Sequence, residues 1–312
     1  MCEGGQNRAI HSRMNQHIKP PTSHHFVPVW MSRRFTDDNG RLHFFDKRRP
    51  KKGLLAGKPE EIFKQRHLNS IKGSDGSKNT EPETKFFGPL DDVAAELVSR
   101  MVVAARSGST PRLSRIEKEA WDFFFYHQWK RAPDAYEKLG VHETFEEDLR
   151  ELIAEYERDI RPLTVDERKF IEREEGKTRI KHNANLSARM RSGPDVLSAL
   201  ADKGLLIARI TNPKKSFVIG SSSVVKLTYP GRTHLADPSV EAWMPIAHDI
   251  AVSPGGSARA ERLVDISSDH IRGINEATFL NSLVIAGCSP ALIASLSKLY
   301  CAPTNGSDAQ VT

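Results

Sequence analysis

Two adjacent histidines, His24 and His25, are the residues of this sequence with the most specific chemical potential. An imidazole can act as a general base near neutral pH or can bind a transition metal. Pro28 restricts the residue before it to extended backbone, so a short strand or extended arm is expected from His24 to Val27. Neighbouring strand residues point to opposite faces, which disfavours a chelate of both imidazoles on one metal ion. Both are candidate catalytic residues; the alternative is that one caps the core while the other is exposed.

A histidine-rich start is also found in HNH-type nucleases, in which a strand histidine activates water near a divalent metal ion. The turn Asp37-Asp38-Asn39-Gly40 predicts a hairpin after the arm. The second half of the nuclease pattern, a helix presenting Asn and a further His, does not follow that hairpin. The sequence therefore offers no metal-ligand set.

Arginine and histidine side chains supply candidate anion-binding groups. Arg33 follows the arm, while His127 and Arg131 are four residues apart and share one side of an aromatic-rich helix. A guanidinium group can grip carboxylate or phosphate with two parallel hydrogen bonds. The alternative for Arg131 is structural, a bond from the helix end to a carbonyl or to Asp134.

A third group of polar candidates lies late in the chain. Ser221 and Ser222 begin a hydroxyl-rich strand end, and Asn275 lies on a predicted helix. No Gly-x-Ser-x-Gly elbow surrounds the serines, which disfavours a serine nucleophile. The basic tract 177–191 could contact nucleic acid or form a solvated helix face. Walker, Rossmann, His-Glu-x-x-His and EF-hand patterns are absent from the sequence.

Helices and a sheet must position these residues. Apolar residues recur at helical spacing through a helical part at about 88–203, and the period becomes that of strands in a sheet part at about 204–300. The predicted fold is α+β: a helical middle block, then a mainly antiparallel sheet with packed C-terminal helices. Residues 23–46 should pack on the sheet part, which gives a single domain over 23–300.

Local signals predict several element boundaries. Thr110-Pro111 predicts a helix start, and Thr164 with Glu167 forms a capping box that opens a helix running toward Arg191. Gly204 is predicted as a left-handed helix cap. The Gly-, Ser- and Asn-rich stretch from Ser70 to Thr84 is predicted as a surface loop.

The arm resembles the opening signature of a large bacterial family that is catalogued only as a domain of unknown function. Its members begin near His-His-Tyr-Val-Pro, continue into Tyr-Leu-Arg-x-Phe and then have a Gly-x-Leu-x-x-Tyr-Asp strand. The matching residues are His24, His25, Phe26, Val27, Pro28, Arg33, Phe35, Gly40, Leu42, Phe45 and Asp46. Later landmarks match Gln128, Arg131, Pro133, Phe217, Ile219, Ser221, Val225, Pro245, Ile246, Ile274 and Asn275. The resemblance covers residues from about 22 to 300.

The sequence departs from the family pattern at one acidic position. Where the family has Ser-Asp-x-Pro, this chain has Ser221-Ser222-Ser223-Val224. If the family aspartate holds a metal ion or acts as a base, Ser222 should impair that role here.

Composition limits the class of protein. The chain has 312 residues, 38% hydrophobic and 28% charged, as expected of a globular protein without an apolar membrane span. Three scattered cysteines favour a reducing, cytoplasmic location. The net charge is +6. Residues 1–52, with eleven basic against four acidic residues, carry +7, so the remaining chain carries −1. Residues 1–22 are predicted to be a disordered basic arm and 301–312 a disordered tail.

The leading functional hypothesis is a cytoplasmic bacterial protein that binds an anion, either a nucleotide or nucleic-acid phosphate. Its pocket would lie between the signature arm and the sheet, where Arg33, Arg131 and Ser221 are expected to converge. One alternative is a metal-dependent phosphodiester hydrolase that uses His24 or His25, in defence against phage or mobile elements. The other is a non-enzymatic interaction module. The cofactor and the oligomeric state stay open.

Overall fold

The helical middle of the chain follows the apolar spacing of its sequence. A computed structural model describes residues 22–133, 144–227, 237 and 240–301. The segments predicted to be disordered fall outside these ranges, apart from residues 22 and 301. The α-helices of the described part are α1 (Val29–Ser32), α2 (Gly88–Arg106), α3 (Arg115–Lys130), α4 (Phe145–Asp159), α5 (Val165–Glu172), α6 (Glu174–Met190), α7 (Pro194–Ala201), α8 (Ser268–Asn281) and α9 (Pro290–Cys301). A π-helix at Pro82–Phe87 leads into α2.

The strands of the described part form two larger sheets and two two-stranded pairs. The strands are β1 (Ser23–His25), β2 (Leu42–Asp46), β3 (Leu55–Gly57), β4 (Lys64–Arg66), β5 (Ile71–Lys72), β6 (Lys78–Asn79), β7 (Lys203–Arg209), β8 (Ile219–Gly220), β9 (Val225–Leu227), β10 (Glu241–Ala247), β11 (Ile250–Ser257), β12 (Glu261–Asp265) and β13 (Val284–Gly287). The five-stranded sheet has the order β12-β7-β11-β10-β9, and the four-stranded sheet has the order β3-β2-β13-β8. Among these neighbours only β12 and β7 are parallel. The predicted α+β class is confirmed.

The early and late parts of the chain meet in the four-stranded sheet. Strand β2, which follows the signature arm, pairs antiparallel with β13, and β8 pairs with the other edge of β13. The β1–β4 and β5–β6 pairs lie outside both larger sheets. The arm is thereby connected through β4 to the β5–β6 pair and through β2 to the sheet.

Two helix starts test the local signals. The predicted start of α3 at Thr110-Pro111 is wrong, because the helix begins at Arg115 after a capping box formed by Ser114 and Glu117. Arg112 has a φ of 53°, which breaks helical geometry between the two points. The predicted capping box of Thr164 is confirmed, and the Thr164 side chain accepts a hydrogen bond from the Glu167 amide.

Two further predictions fail for reasons outside their local sequence. Gly204 is not a helix cap; it lies within β7, where an added Cβ would approach the carbonyl oxygen of Ala260 to 2.2 Å. Glycine is required at this position because the backbone of Ala260 lies too close to leave room for a Cβ atom. The predicted loop from Ser70 to Thr84 instead contains β5, β6 and the start of the π-helix.

A large apolar core joins the helical block to the five-stranded sheet. Its fully buried side chains include Met31 from α1, Phe35 just after α1, Trp121 and Phe124 from α3, and Ile246 from β10. Within the described residues, no helix combines the length and apolar character required to cross a membrane.

Candidate functional site

The two signature histidines contact different parts of the protein. His24 is fully buried, and its Nδ1 accepts a hydrogen bond of 2.9 Å from the backbone amide of Asn69. The Asn69 side chain in turn donates to Glu83 over 2.7 Å. His24 therefore ties β1 to the segment that precedes β5.

His25 points to a more accessible region beside the signature arm. Its Nε2 lies 3.2 Å from the carbonyl oxygen of Glu60, and burial is the main cause that lowers its pKa. Nearby positive charges, Lys64 and Arg131, lower the pKa further. Arg33 is mostly exposed and pairs with the Glu60 carboxylate at 2.6 Å.

A polar seam joins the arm, α3 and the serine strand end. Its centre is Gln128, whose Nε2 donates to the Phe26 carbonyl oxygen and to Ser223 Oγ, both at 2.9 Å. The seam also includes Arg131 and Asp91, which form an ion pair at 2.6 Å. The Gln128 side chain is thus the direct link between the arm and the strand that carries the serines.

Arg131 is committed to this seam. Its side chain is only 2% exposed, and its guanidinium lies over the Phe87 ring at 4.8 Å. Burial raises the pKa of Asp91, although the Arg131 charge opposes that rise. The predicted alternative partner, Asp134, lies outside the described residues. Asp91 therefore neutralises the positive charge of Arg131, which was expected to contact a ligand.

His127 lies one turn before Arg131 in an aromatic environment. Its ring centroid is 4.3 Å from that of Phe123 and 5.0 Å from that of Phe86. Nδ1 lies 2.9 Å from the Arg189 carbonyl oxygen, so the ring donates from Nδ1 and leaves a lone pair on Nε2. Burial lowers the His127 pKa to about 4, which keeps the ring neutral at pH 7.

The late polar candidates brace α8 against its neighbours. Ser221 Oγ accepts a hydrogen bond of 2.9 Å from the amide of Leu283, and Ser222 Oγ donates to the Asn281 carbonyl oxygen at 2.7 Å. Asn275 accepts from the amide of Val218 and donates to the carbonyl of Ser216. These residues form a separate neighbourhood, and Ser223 instead of Ser221 meets the polar seam.

A cluster of four cations, three of them exposed and one half-buried, was missed at the sequence level. We define the basic face as the side chains of Lys64, Arg66, Lys72 and Lys78. Lys64 and Arg66 lie on β4, where they pair with His25 and Ser23 of the arm. Lys72 and Lys78 are direct cross-strand partners in the β5–β6 pair. Two lysines around a Gly-Ser-Asp-Gly turn were the sequence signal for this arrangement.

Two histidines lie within the electrostatic reach of the basic face. Burial and then the charges of Lys78, Arg66 and other cations lower the pKa of His67. Burial is also the main cause that lowers the pKa of His182, and the Lys72 charge adds to it. No carboxylate in the described part of the chain lies within ion-pair distance of the four cations. The positive charge of this face is available to solvent.

Among the described residues, no three His, Cys, Asp or Glu side chains are grouped closely enough to hold a metal ion. The hydrolase hypothesis stays a prediction.

A family model described as "Protein of unknown function (DUF4238)" matches residues 23–284. No curated protein gives a significant match, and no solved structure does. The predicted resemblance to a family of unknown function is confirmed.

Proposed function

The chain belongs to the DUF4238 family, which assigns no activity, and we propose that it binds nucleic-acid or nucleotide phosphate on the basic face. The observation that carries the proposal is the pairing of Lys72 with Lys78 across β5 and β6. Like charges directly opposite each other destabilise an antiparallel pair. A phosphate group between the two ammonium groups would relieve this repulsion.

The electrostatic surroundings support the same conclusion. His67 lies among Arg66, Lys72 and Lys78, and the charges of all three disfavour its protonated form. Cations that form no ion pair attract phosphate, and their binding releases the counterions condensed on a nucleic acid. Phosphate binding on this face would therefore gain free energy without breaking an existing ion pair.

Contacts with α6 and with the signature arm hold the basic face in place. Asn183 of α6 clamps β5, since its side chain accepts from the Lys72 amide and donates to the Lys72 carbonyl, at 2.9 and 3.0 Å. The β1–β4 pair connects the other half of the face to the signature arm. Spaced cations on two strand pairs favour a polymer with repeating phosphates over a single nucleotide.

Arg131 was expected to supply the anion contact, but its pairing with Asp91 favours the exposed cations for that role. The proposed ligand class is the one expected from the sequence. The proposed binding site, however, lies on β4, β5 and β6, beside the signature arm. A bacterial, cytoplasmic protein is part of the proposal, since nucleic acid is abundant in that compartment.

The test is the salt dependence of binding to a labelled 20-base-pair DNA duplex and to a single-stranded RNA of mixed sequence, by fluorescence anisotropy. The variant K64Q/R66Q/K72Q/K78Q lowers the net charge from +6 to +2. If all four cations contact phosphate, the slope of log K against log salt should become shallower by about 3 to 4.

A matched control separates this face from overall charge. The variant K214Q/K215Q/R262Q/R272Q has the same net charge of +2 and removes exposed cations near β8, β12 and α8. It should keep most of the slope. Equal losses in both variants, or no binding by the unmodified chain, would refute the proposal.

A further inference from the structure

Helices α4, α5 and α6 border an open groove that reaches the turn between β5 and β6, where Ser74 lines it. The groove has a volume of about 600 Å³ and a mainly apolar lining, to which α4 contributes Leu149, Leu152, Ile153 and Tyr156 and α5 contributes Phe170. This size is that of a ligand or peptide cleft. The apolar side chains of three helices therefore face a space that they do not fill themselves.

Exposure along α4 shows how open the groove is. Leu149 is buried, but Leu152, on the same side of the helix, is 60% exposed. An amphipathic helix normally covers its apolar stripe by packing. The apolar side of α4 is therefore only partly buried, and its exposed part forms one wall of the groove.

Acidic side chains border this wall. Asp148 and Glu155, four residues before and three residues after Leu152, share its side of α4 and are exposed. In the part of the chain that the structure describes, neither of these two carboxylates forms an ion pair.

Asp166 and Glu167 lie on the opposite wall, where Glu167 pairs with Arg161. Arg179 of α6 also lines the groove, and its guanidinium lies over the Phe170 ring at 3.7 Å. We call the whole feature the acidic groove.

We propose that the acidic groove binds a short basic amphipathic helix presented by a protein partner. Helix-in-groove recognition places apolar side chains at i, i+3 and i+4 in an apolar cleft, and charges at the rim select the partner. Here the apolar anchors would contact Leu152, Ile153 and Tyr156, and lysine or arginine side chains would meet Asp148 and Glu155. The same carboxylates repel nucleic acid and anionic lipid headgroups. The groove proposal does not depend on phosphate binding at the basic face.

The probe is a fluorescent 14-residue peptide with two Leu-Lys-Lys-Leu-Leu-Lys-Leu repeats, titrated with the full chain. A matched peptide with glutamate in place of each lysine is the first control. The basic peptide should bind and the acidic peptide should not. Equal binding of both peptides would overturn the proposal, because the groove would then be apolar without charge selection.

Two variants locate the binding. Leu152→Lys places a like charge at the rim of the groove and should weaken basic-peptide binding by at least about tenfold. Because this side chain is largely exposed, the variant should fold, and circular dichroism checks this. The second variant, D148N/E155Q, keeps all apolar contacts and should weaken binding roughly fivefold and reduce its salt dependence.

The control variant E96Q/D269N removes two exposed acids from α2 and α8 and should leave peptide binding unchanged. Peptide binding that is unaffected by Leu152→Lys and by D148N/E155Q would overturn the proposal. Sedimentation analysis tests another occupant, since a concentration-dependent dimer that Leu152→Lys abolishes would assign the groove to a second copy and refute a heterologous partner.

Discussion

The polar seam and the basic face contain the same types of residue but use them in opposite ways. In the seam, the Arg131 side chain is 2% exposed and forms an ion pair with Asp91. On the basic face, Lys64, Arg66 and Lys78 are exposed and form no ion pair with a carboxylate of the described residues. One region holds elements together, and the other leaves positive charge available.

This difference teaches which measurement reports on each region. Removing one partner of a buried ion pair leaves an uncompensated charge and lowers the free energy of unfolding. Removing an exposed cation from a phosphate-binding surface changes the salt slope of binding and hardly affects stability. Stability and salt slope together therefore separate bracing residues from ligand-binding residues.

The largest expected effect is in the seam. Arg131→Met leaves Asp91 without its partner and should lower the free energy of unfolding by about 3–5 kcal/mol in urea denaturation. D91N/R131M should recover part of this loss, since it removes the uncompensated carboxylate. The salt slope of nucleic-acid binding should not change.

The same variant tests the competing role of Arg131. If Arg131 binds the ligand, folded Arg131→Met protein should lose nucleic-acid binding while its stability falls little. That result would reverse the comparison and return the binding site to the pocket between the arm and the sheet.

A second large effect concerns pH and His127. The ring has a pKa of about 4 in the folded protein, against about 6.5 in an unfolded chain. The unfolded chain therefore binds the extra proton first as pH falls. The stability that His127 contributes is complete above pH 6.5 and is lost between about 6.5 and 4, by up to about 3 kcal/mol.

His127→Gln isolates this contribution. The variant removes the titrating ring but keeps the other groups that titrate in this range, including Asp122, whose pKa burial raises to about 6. The difference in unfolding free energy between the two proteins should change by about 3 kcal/mol from pH 7 to pH 4. A constant difference would show that His127 is protonated at an ordinary pH and is less buried than described.

Local signals in the sequence predicted the elements whose causes are local. The Thr164 capping box was found because its partner, Glu167, is three residues away. Gly204 was misassigned because the atom that excludes a side chain belongs to Ala260, in another turn of the chain. A contact between residues so far apart along the chain cannot be predicted from local sequence signals.

The site was predicted to a similar extent. The His24 and Arg131 positions were identified, but their partners, Asn69 and Asp91, are 45 and 40 residues away along the chain. Gln128 was quoted only as a family landmark, because both of its acceptors lie in distant elements. Residue type thus identified polar side chains that make specific contacts. Tertiary contacts decided whether each charged group is paired or exposed to solvent.

The smallest effect is at the centre of the basic face. Lys72→Gln removes one of two opposed charges in the β5–β6 pair, so the free energy of unfolding should stay constant or rise by about 0.2–1 kcal/mol. The salt slope of nucleic-acid binding should become shallower by about 1. Lys215→Gln, an exposed lysine before β8, is the control and should change neither quantity. If Lys72→Gln lowers stability and leaves the salt slope intact, Lys72 braces its strand pair as Arg131 braces the seam, and the basic face has no separate role.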